Sequence, residues 1–341
     1  MFVEIRLGNT NSGLDMQNSD RFSRPDTSSS LSASLISRIR TFCDVASANG
    51  APLSVRDLIS VLPLDMTESA LTRAWESCRS LRESYTIADG IIAKMEGSEL
   101  RLYSPGNVQR VEERANRALS NILCATKFSS LLRNEDIIAL AVSGSTSYLS
   151  ASENDDLDFF LVSQTDTMWI SLTRSLILAR AFKFVRASAP ALCFSFVSDA
   201  RFAEEHFAEN HNALIARDAI SAQVLWGQAY YSELLRSNSW IGEYYPKLYQ
   251  RRVNSSPIRL QLTRFHKEIG SIKKSINIFL FLTAGWYLQL KSRLLNRKLT
   301  KSGRFSSVFS VRIGIDHCIY ESSRYRALAK MYKRLDLEKD L

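Results

Sequence analysis

The chain is poor in the residues that would mark a metal scaffold, a disulfide framework or a membrane span. Of its 341 residues only five are cysteine and four histidine. Cys43, Cys78, Cys124, Cys193 and Cys318 are scattered and odd in number, so no spacing suggests zinc or paired disulfides, and reduced, buried thiols are expected. His206, His211, His266 and His317 make no metal motif either. His206 and His211 are five apart, a poor match for one helix face, and a structural role is expected for them. No apolar run with a basic start and a small-residue cleavage site opens the chain, which points to a cytoplasmic protein. Long apolar runs are scarce as well, the exception being Ile276 to Leu288, INIFLFLTAGWYL. As a helix it spans only about 20 Å against a hydrocarbon core of about 30 Å, and Asn277, Thr283 and Gly285 interrupt it. A buried helix and no membrane partner are therefore expected there, with membrane contact assisted by Lys273, Lys274 and Lys291 as the lesser alternative. No internal repeat is evident.

An apolar content of 45% is enough for full cores, and the length suits two or three domains. Residues 1–33 are rich in Ser, Asn and Asp and low in aromatics; such a segment cannot bury enough apolar surface to offset ordering entropy, and a disordered tail is expected. Residues 34–105 then read as a small domain. Leu35, Ile36, Ile39 and Phe42 have helical spacing, Ser54 can cap a helix over Val55 to Leu62, and Thr67 opens a third with Leu71, Trp75 and Cys78 inward. Tyr85 to Ile92 follows, with Asp89-Gly90 as a tight hairpin signal. Three helices and a two-stranded wing resemble a winged helix-turn-helix module. Arg73 and Arg79 are too few to make a basic reading face, so a docking role is expected for it ahead of nucleic-acid binding.

Residues 106–250 begin with a long helix, Val108 to Leu132, with Val111, Ala115, Leu119 and Leu123 expected on one face. Residues 251–341 are expected to be a basic helical region, its terminal helix packing through Tyr325, Leu328, Met331, Tyr332 and Leu335. Charge is uneven along the chain. Residues 247–312 hold fifteen Lys and Arg against one acid, Glu268, a local balance of +14 in a chain whose net charge is +9. Such a surface can attract RNA or another polyanion, or can be a solvated face.

The chemistry sits in Leu140 to Ser163, LAVSGSTSYLSASENDDLDFFLVS. Two apolar runs, Ala139 to Val142 and Leu157 to Val162, read as buried strands joined by a polar connection. Gly144 permits close backbone approach to phosphate, and the N–H groups there with the Ser145 hydroxyl can hold a triphosphate tail. Asp156 and Asp158 are two apart, so on a strand both carboxylates leave one face while Leu157 points into the core. Paired carboxylates repel unless a divalent cation lies between them, and Mg²⁺ (or Mn²⁺) is commonly held by one or two carboxylates plus substrate phosphates.

This pattern, Val142-Ser143-Gly144-Ser145 followed by Asp156-Leu157-Asp158-Phe159, resembles the DNA polymerase beta-like nucleotidyltransferase superfamily. The resemblance extends through Trp169 and Arg174 on a following helix, the strand Leu192 to Val197, and Ala216 to Pro246. That last segment is similar to the helices after the third strand in a poorly characterised prokaryotic branch, and in all about 140 residues are covered. The resemblance implies an α+β fold: a small mixed sheet flanked by helices, with the winged-helix-like region before it and the helical region after it. It further implies Mg²⁺ on Asp156 and Asp158, ATP or another nucleoside triphosphate held through Gly144 and Ser145, and Trp169 and Arg174 as candidates for nucleotide contact. The superfamily's third carboxylate, which binds a second metal and helps deprotonate the attacking hydroxyl, falls here on Ser195. An Asn is common at that position in the branch. Asp199 and Asp218 are possible substitutes, although each reads more readily as a surface or helix-turn acid. Two functions stay open: transfer of a nucleoside monophosphate to an acceptor hydroxyl, or nucleotide binding without turnover in a regulatory protein.

Overall fold

The computed structural model describes residues 31–49, 51, 53–95, 106–153, 155–255, 261–303 and 308–339. The tail expected over residues 1–33 therefore lies almost wholly outside the described residues.

The first unit grows from local capping signals. Ser54 accepts a hydrogen bond from the Asp57 N–H at 3.0 Å and opens the helix Val55–Val61; Thr67 accepts from Ala70 at 3.1 Å and opens Glu68–Ser77. With the helix Ala33–Ala48 they enclose Leu35, Ile39, Phe42, Leu58, Leu71 and Trp75. Strands β1 (Leu53–Ser54), β2 (Tyr85–Ala88) and β3 (Ile91–Lys94) form a small antiparallel sheet in the order β1-β3-β2. Between β2 and β3, Asp89 and Gly90 both take positive φ, 50° and 73°, as a two-residue hairpin turn requires.

The main sheet has six strands: β4 (Ile137–Val142), β5 (Leu157–Ser163), β6 (Leu192–Asp199), β7 (Gln223–Trp226), β8 (Phe309–Ile313) and β9 (His317–Ser322). Their order is β7-β4-β5-β6-β9-β8; β5 and β6 are parallel and every other pair is antiparallel. The fold is thus α+β, a mixed six-stranded sheet and a small antiparallel one flanked by helices. Alternation along β5 divides two cores. Leu157, Phe159 and Leu161 pack with Phe128, Trp169, Leu172 and Phe194 on one face, and Phe160 and Val162 with Phe207, Tyr230 and Tyr231 on the other. The aromatic pairs follow the same division: Phe159 stacks on Phe194 at 5.4 Å, and Phe160 on Phe196 at 4.6 Å.

Three expectations are corrected. The C-terminal region is not all helical, because β8 and β9 extend the sheet from it; FSVRIGIDHCIYES alternates as a hairpin around Gly314 to Asp316. In the helix Gly106–Leu132, Leu123 is exposed while Ala118, Ala125, Phe128 and Leu132 are buried. A spacing of four drifts by about 40° per step around a helix, so a row of such steps leaves the inward face. The run from Ile276 to Leu288 is helical but not buried. It belongs to the consecutive segments Ser271–Leu280, Phe281–Gly285 (a π turn) and Trp286–Lys301, whose buried residues are Asn277, Gly285 and Ser292. Asn277 accepts from the Trp169 backbone N–H at 2.8 Å, and Gly285 lies where a Cβ would come within 3.1 Å of the Trp169 ring. Close seating against a large indole favours small residues on the inner side, which turns several bulky ones outward.

The terminal helix Ser323–Lys339 packs as expected, burying Tyr332 and Leu335 against Ala33–Ala48 and Ala213–Ser221. It also fastens the first unit to the rest: Arg334 pairs with Asp44 at 3.4 Å and Arg324 donates to Asn49 at 2.7 Å, while Arg38 donates to the Tyr244 carbonyl at 2.6 Å. No described helix is long and apolar enough to cross a membrane. All five cysteines are free, Cys43 and Cys318 being buried.

Candidate functional site

The two halves of the Gly-Ser and Asp-x-Asp pattern meet where β4 and β5 pair. Val142 lies opposite Phe159, and the next N–H, of Ser143, donates to the Asp158 carbonyl at 2.9 Å. Gly144 then turns the chain with φ +63° into the short helix Gly144–Ser147. A Cβ on Gly144 would lie 2.4 Å from the Asp158 carboxylate oxygen Oδ2, so only glycine allows the turn to close over that acid. Gly144→Ala is expected to lose about 1–2 kcal/mol of stability to the left-handed backbone alone. It should also push the Asp158 carboxylate aside, lowering the melting temperature further; thermal melts of variant and parent would check this.

Asp156 is exposed, and Asp155 and Asp158 are partly buried. Burial, then the charge of Asp156, pushes the Asp158 carboxyl up to about 7, partly offset by a hydrogen bond from the Cys193 thiol. Asp156, although open to solvent on one side, is raised by partial desolvation and by the charge of Asp155. Burial also acts upward on Asp155, but hydrogen bonds from Ser145 and Ser152 and the nearby Arg324 outweigh it and hold this acid below its usual range. Its bonds to the Ser152 N–H and hydroxyl are 2.9 and 2.6 Å, and the Arg324 guanidinium is 3.8 Å away. Asp155 therefore braces the connection between β4 and β5, and the Ser145 hydroxyl expected on phosphate is bonded to it.

Asp156 and Asp158 fit Mg²⁺ by donor chemistry. They are hard oxygens whose mutual repulsion and burial a divalent cation would relieve. Among the described residues no group of three or more His, Cys, Asp or Glu could hold a metal ion. The pair would thus rely on phosphate oxygens and water to complete the shell, as Mg²⁺ sites at triphosphates commonly do.

The third-acid position needs the register of β6. Asp158 is the partner of Cys193 and Phe160 of Phe196, so β6 uses three steps where β5 uses two. The extra residue shifts Ser195: its hydroxyl lies 3.4 Å from Ser143 Oγ and 3.4 Å from the Phe159 carbonyl oxygen. Cys193, rather than Ser195, stands beside Asp158. No periodicity in LCFSFV reveals such a bulge, and Cys193 was not among the candidates.

The remaining candidates separate clearly. Asp199 caps the helix Ala200–Glu209, accepting from Phe202 at 3.0 Å and from the Asp166 N–H at 3.2 Å. Asp218 is enclosed, accepting from the Tyr148 and Tyr325 hydroxyls. Burial raises its pKa to about 6 against those bonds and the adjacent Arg217, and its charge reaches Asp158. Arg217 itself lies over the rings of Tyr148 and Phe42, at 4.9 and 5.5 Å, which ties the site turn to the first helix. Trp169 is fully buried on the opposite face of the sheet, its ring N–H donating to Gly314 at 3.0 Å. Arg174 is exposed on the same helix, Met168–Val185, whose buried side packs into that opposite core. The structure therefore brings Gly144, Ser145, Asp156 and Asp158 together, and leaves Trp169 and Arg174 outside the group.

Many cations of the basic region are spent on intramolecular partners. Lys247 pairs with Asp65, Lys273 with Glu135 and Asp136, Lys274 with Asp166 and Arg312 with Glu321, while Arg252 donates to the Ala222 carbonyl. Compared with protein-family models, curated proteins and solved structures, the chain matches none, so the site itself has to supply the functional reading.

Proposed function

We propose that this protein binds a nucleoside triphosphate through Asp156 and Asp158 with Mg²⁺ and transfers its nucleoside monophosphate to an acceptor hydroxyl, on a nucleotidyltransferase fold. The observation that carries the reading is the contact of Gly144 with Asp158, which joins the phosphate-approach turn to the paired carboxylates. Asp156 and Asp158 would hold the cation, which when bound neutralises phosphate charge and polarises the phosphorus under attack. Gly144 lets the turn close on the Asp158 carboxylate, and its backbone would approach the phosphates there. In-line attack on the α-phosphorus would release pyrophosphate, and the acceptor proton would pass to solvent or to a basic group of the acceptor complex, since neither Cys193 nor Ser195 offers a carboxylate.

That last point favours a second reading, nucleotide binding without turnover. The first unit, which we propose to be a winged-helix module, suits a regulatory role of this kind. Arg79 pairs with Glu83 and Lys94 with Asp44, and Arg40 donates to Ser80, so these three cations serve the fold while Arg73 lies exposed; so sparse a free charge fits docking better than DNA reading. Incubation with each labelled nucleoside triphosphate, Mg²⁺ or Mn²⁺, and cell extract divided into RNA, protein and small-molecule fractions separates the two. Label in one fraction identifies the acceptor class; nucleotide binding with no label in any fraction supports the regulatory reading.

A further inference from the structure

The helical segments from Ser271 to Lys301 present an outer face that nothing in the described structure covers. Ile272, Phe279 and Trp286 are 79%, 63% and 66% exposed, and Leu282, Leu290 and Leu294 join them. From Phe279 onward the spacing is three or four residues, so the side chains follow one side of the helix, opposite the inward Asn277, Gly285 and Ser292. From Ile272 to Leu294 this stripe runs for about 33 Å at helical rise. It is larger than scattered surface hydrophobes account for.

Its electrostatic setting identifies the occupant. Between Glu268 and Asp316 the sequence contains no acid. Lys291, Arg293, Arg297, Lys298 and Lys301 lie exposed on the second half of this helix, with no ion pair among the described residues. Two copies meeting through this face would bring like charges together at the moment of burying the stripe. A nucleic acid would satisfy the cations but leave the leucines and aromatics in contact with a phosphate backbone. An anionic lipid surface satisfies both. Apolar side chains enter the acyl boundary, Trp286 and Tyr287 sit at headgroup level, and the cations meet the phosphates. A helix lying in the interface needs no span-length apolar run, in keeping with the absence of one among the described helices.

We propose that the face of Ser271–Lys301 is an interfacial helix that attaches this protein to an anionic membrane surface. The inference does not depend on the nucleotide reading. The test is co-sedimentation of the whole chain with vesicles of phosphatidylcholine alone or with about 30 mol % phosphatidylglycerol, at low salt and at about 0.5 M salt. Binding is expected to be at least tenfold tighter to the anionic vesicles, with a blue shift of tryptophan fluorescence, and to weaken at high salt. Phe279→Ser with Trp286→Ser alters two exposed side chains, so the fold should survive, as circular dichroism would verify; binding should fall at least tenfold. Lys291→Gln, Arg297→Gln, Lys298→Gln and Lys301→Gln together should remove the preference for anionic lipid, at about fivefold per cation near the surface. The proposal is overturned if the parent binds neither vesicle type, or if the folded Phe279→Ser, Trp286→Ser protein binds as well as the parent. It is equally overturned if the only partners found are single-stranded RNA, with affinity indifferent to those two changes, or a second copy of the chain.

Discussion

Asp158→Asn should abolish Mg²⁺-dependent nucleotide binding and yet make the nucleotide-free protein more stable at pH 8. The two effects have one origin. Burial and the neighbouring Asp156 raise the Asp158 carboxyl to about 7, so the folded state holds a proton that an unfolded chain, with an ordinary carboxylate, has already released. A raised acid contributes its stability fully below the unfolded value, near 4, and loses it as pH rises through the folded value. The parent should therefore weaken between pH 5 and pH 8, and the neutral amide should escape that part of the loss. Allowing for solvent screening of a partly exposed group, the difference is of the order of 1–3 kcal/mol at pH 8. Asp218 is raised as well and its charge reaches Asp158, so the amide also relieves the repulsion between these two acids, which adds to the gain at pH 8. With ligand the order reverses. Mg²⁺ and nucleotide at about a hundred times the dissociation constant should stabilise the parent by about 2.7 kcal/mol. The variant should gain little, and its transfer activity should fall by at least about 100-fold, since even groups that only orient metal ligands cost 10–100-fold. Thermal melts at pH 5 and pH 8, with and without Mg²⁺-nucleotide, measure both effects. An equal ligand-induced shift in parent and variant would sink the assignment of Asp158.

Much of this site was legible because its signals are local. Asp156 and Asp158 share a face because they are two apart on a strand whose intervening Leu157 is apolar, and Gly144 announces a turn that other residues adopt only with strain. Ser54, Thr67 and Asp89-Gly90 similarly act within four residues of themselves. Features that depend on distant partners were hidden. The bulge in β6 exists only in its pairing with β5, so counting along LCFSFV selects Ser195 where the register selects Cys193. The run from Ile276 to Leu288 looks like core because its residues are apolar. Its burial is decided by Trp169, a hundred residues away, whose backbone and ring accept Asn277 and Gly285 as neighbours and leave Phe279 and Trp286 outside. The brace formed by Asp155 was visible only as the first member of an acidic doublet; its serines and Arg324 come together in three dimensions.

The register of β6 leads to an expected gain of function. Cys193→Asp should place a third carboxylate beside Asp158, whereas Ser195→Asp should not, because that side chain lies against Ser143 and the Phe159 carbonyl. If the missing acid limits turnover, Cys193→Asp should raise transfer or pyrophosphate release by about 10²–10⁴-fold, the range supplied by a positioned base. Without ligand the new carboxylate costs stability: it would lie beside a partly buried acid already raised by Asp156, and like charges push each other's pKa further up. The apo variant should therefore melt below the parent at pH 8, approach it near pH 5, and recover at pH 8 with Mn²⁺ or Mg²⁺ and nucleotide. Ser195→Asp should show the cost with no metal-dependent recovery, its charge facing a carbonyl oxygen and a hydroxyl. Steady-state rates and melts of both variants decide between positions. Activation by Ser195→Asp alone would mean that the strand register places the wrong residue at the site. If Cys193→Asp recovers with metal and nucleotide but turns over nothing in any extract fraction, the acceptor or its activation is absent, and nucleotide binding without transfer becomes the better account of this chain.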